Sequence, residues 1–488
     1  MKLAARWILA HDGHDHVLVE DGEMVIDAGK VVSIGPRGTL PGGEGLDLGE
    51  ALVAPGFVDL NALADVDTTI LGFGGMPVAD AKSVREGHVA AARDLLTTQQ
   101  MVMAARGAFC QLLLSGVTTA LPVTSLLFRK WAENAAEFEA VAALSDELGL
   151  RLVLGPSFRS AINVVRADGS RGQVEDEAAG LAGLADAVRF IKGLSGGLVS
   201  GLLVPSTIET CSDALIRQTA EQAAELNVPF RLHCCQSQAE TEMIWGRAGR
   251  SSIGLLRDLG ALSPRALLPH AKLLGGPNAD PDLIAADREA LAQSGAVVVH
   301  CPLVIGRGGK RLNSFADFTA QGIRIGMGTD TAPPNMLMNL QAGLTMARVS
   351  DPATRPADIL RAATLGGAAA IGRPDLGRLA PGSAADLVVW DLAALEVQPV
   401  HDPVEALFLM PPGLRPRHVW VAGRQVVCDA QVVGIDEQAI ASAMQAIFVV
   451  LRDSFATRHP QGLGWPALFP PSFPLITRNA KIQHGDVS

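Results

Sequence analysis

The chain has 488 residues, 48% hydrophobic and 19% charged, a balance that sustains a large buried core without disulfide support. Its net charge of −11 and pI near 5.5 argue against nucleic acid or an anionic membrane as partner, because phosphate binding needs clustered Lys and Arg. The six cysteines, at 110, 211, 234, 235, 301 and 428, include no CxxC pair, so a reducing, cytoplasmic setting is expected rather than a zinc knuckle or a disulfide framework.

In chain order, the first ten residues are too short an apolar run for a secretory leader, and no stretch of about 18 apolar residues spans a bilayer, so no membrane association is expected. His11, His14 and His16 sit in a terminal turn and are expected at the surface. Residues 17–35 hold apolar runs broken by Asp21-Gly22 and Ala28-Gly29-Lys30 turns, a strand pattern. The pattern returns at 385–391 and 419–427, so a small β-sandwich is expected from both ends of the chain, 1–54 plus 374–435. Between them, 55–373 alternates differently. Short apolar runs at 56–63, 116–122, 151–156, 198–205, 228–234, 266–273, 296–302 and 323–330 are separated by stretches of helical period, such as 96–114, 137–148, 208–226 and 281–294. Eight βα units imply an α/β (β/α)₈ TIM barrel. A doubly wound open sheet is the alternative, but the glycine-rich phosphate loop often found after its first strand is missing. The last part, 436–488, reads as a helix over 437–455 and an extended Pro/Phe/Gly-rich tail over 460–474 that suits a homodimer.

Reacting groups of such barrels gather at the carboxyl ends of the strands. Strand five ends in Leu232-His233-Cys234, strand six in Pro269-His270-Ala271, strand seven in Val299-His300-Cys301 and strand eight in Gly328-Thr329-Asp330. Three imidazoles and a carboxylate at one topological position are the donors of a catalytic metal site with an open position.

These residues carry a resemblance. With Ala54-Pro55-Gly56-Phe57-Val58-Asp59, Ser115-Gly116-Val117-Thr118-Thr119, His300-Cys301-Pro302, Gly328-Thr329-Asp330, Gly366-Gly367-Ala368-Ala369-Ala370 and Leu379-Ala380-Pro381-Gly382-Ser383-Ala384-Ala385-Asp386, the chain resembles the amidohydrolase superfamily over residues 17–435. The branch is that of the cytosine, guanine, S-adenosylhomocysteine and chlorotriazine aminohydrolases. The resemblance implies hydrolysis of a non-peptide C–N bond of a small molecule by water activated on one divalent metal, zinc foremost, with iron or manganese as alternatives. It implies His233 as a strand-five metal ligand, Asp330 as ligand and proton acceptor, His270 as a polarising or ligating group, and His300 against the substrate or leaving group.

The sequence also departs from that pattern. The first strand of the family ends in two metal-binding histidines; here Asn61 and Leu63 stand at those positions, and only Asn61 offers a donor, a carbonyl oxygen. The expected ligand set is therefore His233, His270 and Asp330, with Asn61 beside them. Residues 59, 61 and 63 share a face by simple alternation, which would aim Leu63 into the site and favours a second reading: a metal-independent relative serving as a binding or assembly protein. The acidic residue the family places three positions after the strand-five histidine is here Gln236, and Glu240 and Glu242 are expected to face solvent on the next helix. Cys234 and Cys235 are read as packing residues, the loop 306–311 as solvated, Asp65 and Asp67 as candidates to reach the mouth, and 68–82 as the segment that sets specificity.

Overall fold

The computed structural model describes residues 1–43, 45–66, 70–71, 94–123, 129–166, 168–310, 312 and 315–473. Asp67, Arg311 and all of 68–82 except Ile70 and Leu71 lie outside the described residues.

The eight apolar runs become eight barrel strands, Phe57–Leu63, Val117–Val123, Arg151–Leu154, Val199–Gly201, Phe230–Arg231, Ala266–Pro269, Val297–His300 and Arg324–Met327. They pair in parallel within two sets of four, the first to the fourth and the fifth to the eighth. A parallel bridge between Leu203 and Phe230 joins the sets on one side. On the other, the Asp330 amide donates to the Asn61 carbonyl at 2.9 Å and closes the cylinder. Val58, Leu60, Leu121, Val153, Leu267, Val297 and Val299 form one buried cluster contributed by strands all round the barrel.

Intervening helices form where apolar positions recur at a helical period. Thr98–Leu113 begins with a capping box, Thr97 with Gln100, and buries Ala104, Ala105, Ala108, Phe109, Leu112 and Leu113. Pro281–Ser294 starts with Asp280 as cap and Pro281 in its first turn, and ends at Gly295, whose φ of +69° suits a residue without Cβ.

The two ends of the chain build one nine-stranded sheet. Its centre is Ala51–Pro55, which pairs in parallel with Lys2–His11 and antiparallel with Leu387–Asp391. The sheet curls so that Lys30 meets Ala384 in a further bridge, and Leu3, Ile8, Met24, Val53, Leu387, Val389 and Trp420 pack together inside. Arg151, opening the third barrel strand, fastens this module to the barrel: its Nε and Nη2 donate to the two Asp386 oxygens at 3.1 and 3.0 Å, with both side chains buried.

Three expectations change. The tail is not wholly extended, since Trp465–Leu468 is helical. The helical stretch Glu437–Arg458 is long and apolar enough to cross a bilayer by length and composition alone, against the expectation that no such segment exists. It holds Gln438, Ser442 and Gln445, which a demand for an unbroken apolar run rejects. In the fold its Ile447 and Leu451 bury against Met101 and Ala104 of the helix Thr98–Leu113.

The third change concerns the terminal histidines expected at the surface: His11 is buried and His16 half-buried, its Nε2 3.0 Å from Thr364 Oγ1. The Thr364 hydroxyl donates to Leu360 O at 2.7 Å, so the imidazole must donate through Nε2, and Nδ1 is left buried without a partner. A second ring proton would meet no acceptor, and burial lowers the pKa from 6.5 to about 4. A base with a depressed folded pKa gives stability that is present above its unfolded pKa and lost as pH falls through the folded value. The unfolding free energy from urea titrations is therefore expected to decline from pH 6.5 towards 4, by up to roughly 3 kcal/mol from this group. His16→Gln should make that decline shallower, the remainder belonging to the other buried histidines; an identical pH profile in the variant would acquit the imidazole.

Candidate active site

Three of the four polar strand ends meet, those of His233, His270 and Asp330. His270 follows the sixth strand with φ +74°, and Asp330 follows the eighth with φ +49°, left-handed conformations that turn each side chain off the end of its strand. His270 Nε2 lies 3.3 Å from Asp330 Oδ2, and the His233 and His270 ring centroids lie 5.6 Å apart. His300 is buried, its ring 6.1 Å from that of Phe315.

Three donor atoms, one each from His270, Cys301 and Asp330, lie within 4.8 Å of one another. Among the described residues no such group includes His233, whose Nδ1 instead faces the Ser206 carbonyl at 3.1 Å. The ring then donates through Nδ1 and keeps a lone pair on Nε2. Asn61 is fully buried with its Nδ2 3.9 Å from Cys301 Sγ. Its Oδ1 has no hydrogen-bond partner, nor has Nδ1 of His270 or of His300, and the approach of His270 Nε2 to Asp330 is not aligned as a hydrogen bond. Buried polar atoms are rarely left in this state. Several orphans facing a carboxylate at a barrel mouth match what a divalent cation and a polar substrate would satisfy, so the residues present fit a metal.

Electrostatics keep the imidazoles neutral and able to act as donors of lone pairs. Burial lowers the pKa of both His233 and His300 to about 3, with Arg231 adding to the effect on His233. Burial, then His233, lowers that of His270. Burial pushes the Cys301 thiol up, and the Asp330 and Asp59 carboxylates push the same way.

Beneath these groups lies a residue the sequence reading passed over. Arg231, on the fifth strand, is completely buried. Its guanidinium donates to Leu60 O, Leu121 O and Pro122 O of the first two strands, at 3.2, 2.5 and 2.9 Å. Burial lowers its pKa to about 10 against the attraction of Asp330 and Asp59. Asp59 accepts from the Asn61 and Thr329 amides and the Thr329 hydroxyl, yet burial still lifts its pKa to about 6. It therefore ties the first strand to the eighth just below the site.

The first strand also departs from simple alternation. Asp59 pairs with Ala120 and Ala62 with Pro122, so the first strand carries one extra residue in this stretch, a β-bulge. The extrapolation from Asp59 through Asn61 to Leu63 does not survive it, and the argument that Leu63 must fill the site goes with it.

Glu240, expected in solvent, is buried. It accepts from the amides of Cys235 and Gln236, each at 2.6 Å, and from Ser252 Oγ at 2.9 Å. Burial, then the charge of Glu209, raises its pKa. The signal was present as Ser237-Gln238-Ala239-Glu240, a capping-box spacing in which the glutamate turns back on the preceding amides. Glu242 is exposed, as expected. Cys234 and Cys235 are buried in the core. Asp65 accepts from its neighbour Val66 N at 2.7 Å. In the loop 306–311, Arg307 does more than meet solvent: it donates to Thr331 Oγ1 and Ala332 O, both at 2.6 Å, and so braces the turn after Asp330.

A model of the amidohydrolase family matches residues 65–426. The 5-methylthioadenosine/S-adenosylhomocysteine deaminase of Nitratidesulfovibrio vulgaris strain Miyazaki F is 29% identical over 448 residues, covering 88% of this chain and 93% of its own. The 8-oxoguanine deaminase of Pseudomonas aeruginosa is 29% identical over 361 residues, covering 72% and 77%. In structure, a zinc-bound adenosine deaminase from Xanthomonas campestris superposes with a TM-score of 0.75 at 21% identity, covering 91% of this chain and 97% of its own. A zinc complex of atrazine chlorohydrolase from Arthrobacter aurescens gives 0.72 at 21% identity, covering 91% and 100%. With the matched region spanning most of the chain and the barrel closed around a polar mouth, the protein belongs to the amidohydrolase family.

Proposed function

We propose that this protein is a hydrolase that replaces an exocyclic amino group of a purine-type heterocycle by oxygen, releasing ammonia. The observation that supports it most is the meeting of His270 and Asp330, 3.3 Å apart, beside buried ring and amide atoms that have no partner. The named activities of the similar deaminases give the substrate class. His270 and Asp330 would hold a divalent metal, with Asn61 Oδ1 as a further oxygen donor; zinc fits the neutral imidazole and carboxylate and is present in the similar structures. When bound, such an ion lowers the pKa of water and polarises the bond under attack.

The chain's own residues do the rest. Asp330 takes a proton from the attacking water as its oxygen bonds to the ring carbon. It passes that proton to the amino nitrogen as the C–N bond breaks, and ammonia leaves. His300, neutral and with Nδ1 unpartnered, meets a ring nitrogen of the substrate. His233, anchored through Nδ1 on Ser206 O, presents Nε2 to the opening. Gln236 cannot exchange a proton near neutrality, and Glu240 is already committed to three donors, so proton traffic centres on Asp330. The six free thiols suit a cytoplasmic setting.

Zinc-loaded protein is expected to release ammonia from at least one of adenosine, S-adenosylhomocysteine, guanine or 8-oxoguanine in a glutamate-dehydrogenase-coupled assay. If fully loaded protein leaves all four intact, the aminopurine class is wrong.

A further inference from the structure

We infer that the cation is held by a thiolate, with Cys301, His270 and Asp330 as its protein ligands and the Asn61 amide oxygen alongside. This rests on the hydrolase reading above and assigns a ligand that reading does not contain.

Donors around one tetrahedral zinc stand roughly 3.5 Å apart. The His270–Asp330 edge is already 3.3 Å, and Cys301 Sγ completes a triangle with no side above 4.8 Å. His233 belongs to no such triangle among the described residues.

The surroundings of Cys301 support the same assignment. Its thiol reaches only Val299 O at 3.7 Å and Asn61 Nδ2 at 3.9 Å, long contacts for a fully buried polar group. Rotating the Asn61 amide by half a turn exchanges Nδ2 for Oδ1, the atom left without a partner. The oxygen then faces the same space as the sulfur. Gly328 makes that approach possible: a Cβ there would stand 2.8 Å from Asn61 Cβ and 3.1 Å from Cys301 Sγ. One imidazole, one thiolate and one carboxylate compensate for the missing strand-one imidazoles, and leave a fourth position for water or the Asn61 oxygen. The sulfur also makes the site choosy: thiolate favours zinc or cobalt over manganese or magnesium. Binding releases the thiol proton to solvent.

Cobalt tests this on the full-length protein. After metal is stripped with a chelator, Co²⁺ is expected to bind at one per chain and show thiolate-to-cobalt charge-transfer absorption in the near ultraviolet. Cys301→Ser should lose that band and weaken zinc binding by roughly 100-fold or more, beyond the loss typical of an outer hydrogen-bond partner. Cys428→Ser, remote from the mouth, should keep both. Cys301→Ala serves as a second variant, with far-ultraviolet circular dichroism to confirm that each is folded. Wild-type protein that binds cobalt without the band overturns the thiolate ligand and leaves the hydrolase reading standing. Wild-type protein that retains neither cobalt nor zinc overturns both.

Discussion

Asp330→Asn is expected to abolish turnover, by roughly 10³-fold or more, while leaving the protein folded. The substitution isolates one property. Asn has nearly the same shape and is among the residues that tolerate a left-handed backbone, which position 330 requires with its φ of +49°. The backbone amide that closes the barrel on Asn61 O is untouched. What disappears is a group that can accept a proton and give it back. Metal affinity should fall as well, because an amide oxygen is a weaker donor than a carboxylate, so the measurement is kcat at saturating zinc with metal content determined on the same sample. Turnover within tenfold of wild type at full occupancy would move the proton to another group.

Arg231→Met should produce the largest loss of stability, about 3–5 kcal/mol in urea or guanidinium denaturation. Methionine matches much of the volume, so the loss is electrostatic and not a cavity effect. Three carbonyls, Leu60, Leu121 and Pro122, lose their buried donor. Asp59 and Asp330 lose the cation that attracts both of them. A buried polar group stripped of its partner costs the full desolvation penalty, whereas a pair removed together often costs little. Arg231→Met combined with Asp59→Asn should therefore recover part of the loss. A single variant within 1 kcal/mol of wild type would mean that water enters and satisfies the carbonyls.

The barrel was readable because each strand is a short apolar run followed by a helical period, and because the four strand-end residues are polar where a packed strand has no use for polarity. His270 and Asp330 meet beyond the ends of their strands for that reason. Other parts were hidden for specific physical causes. The bulge between Asp59 and Ala62 is a property of pairing between strands, and a single strand read with period two cannot show it. Arg231 sits in an apolar run and looks like an interruption; its worth comes from carbonyls more than a hundred residues away along the chain. Glu240 was legible from its spacing to Ser237, but a carboxylate on a helix was weighed by its charge and not by the amides behind it. Cys301 entered only as part of a His-Cys-Pro landmark, because adjacency in sequence says nothing of which neighbours a buried sulfur meets across the barrel.

The strand Ala51–Pro55 has a consequence for biosynthesis. One of its flanks is covered early, by Lys2–His11, and the other only by Leu387–Asp391. As the polypeptide leaves the ribosome, that second flank stays bare through more than three hundred residues of translation. Unpaired strand margins recruit other strands, and all five residues of this one are hidden in the finished molecule. A nascent chain halted anywhere in that interval is expected to expose an adhesive ribbon until its last partner arrives.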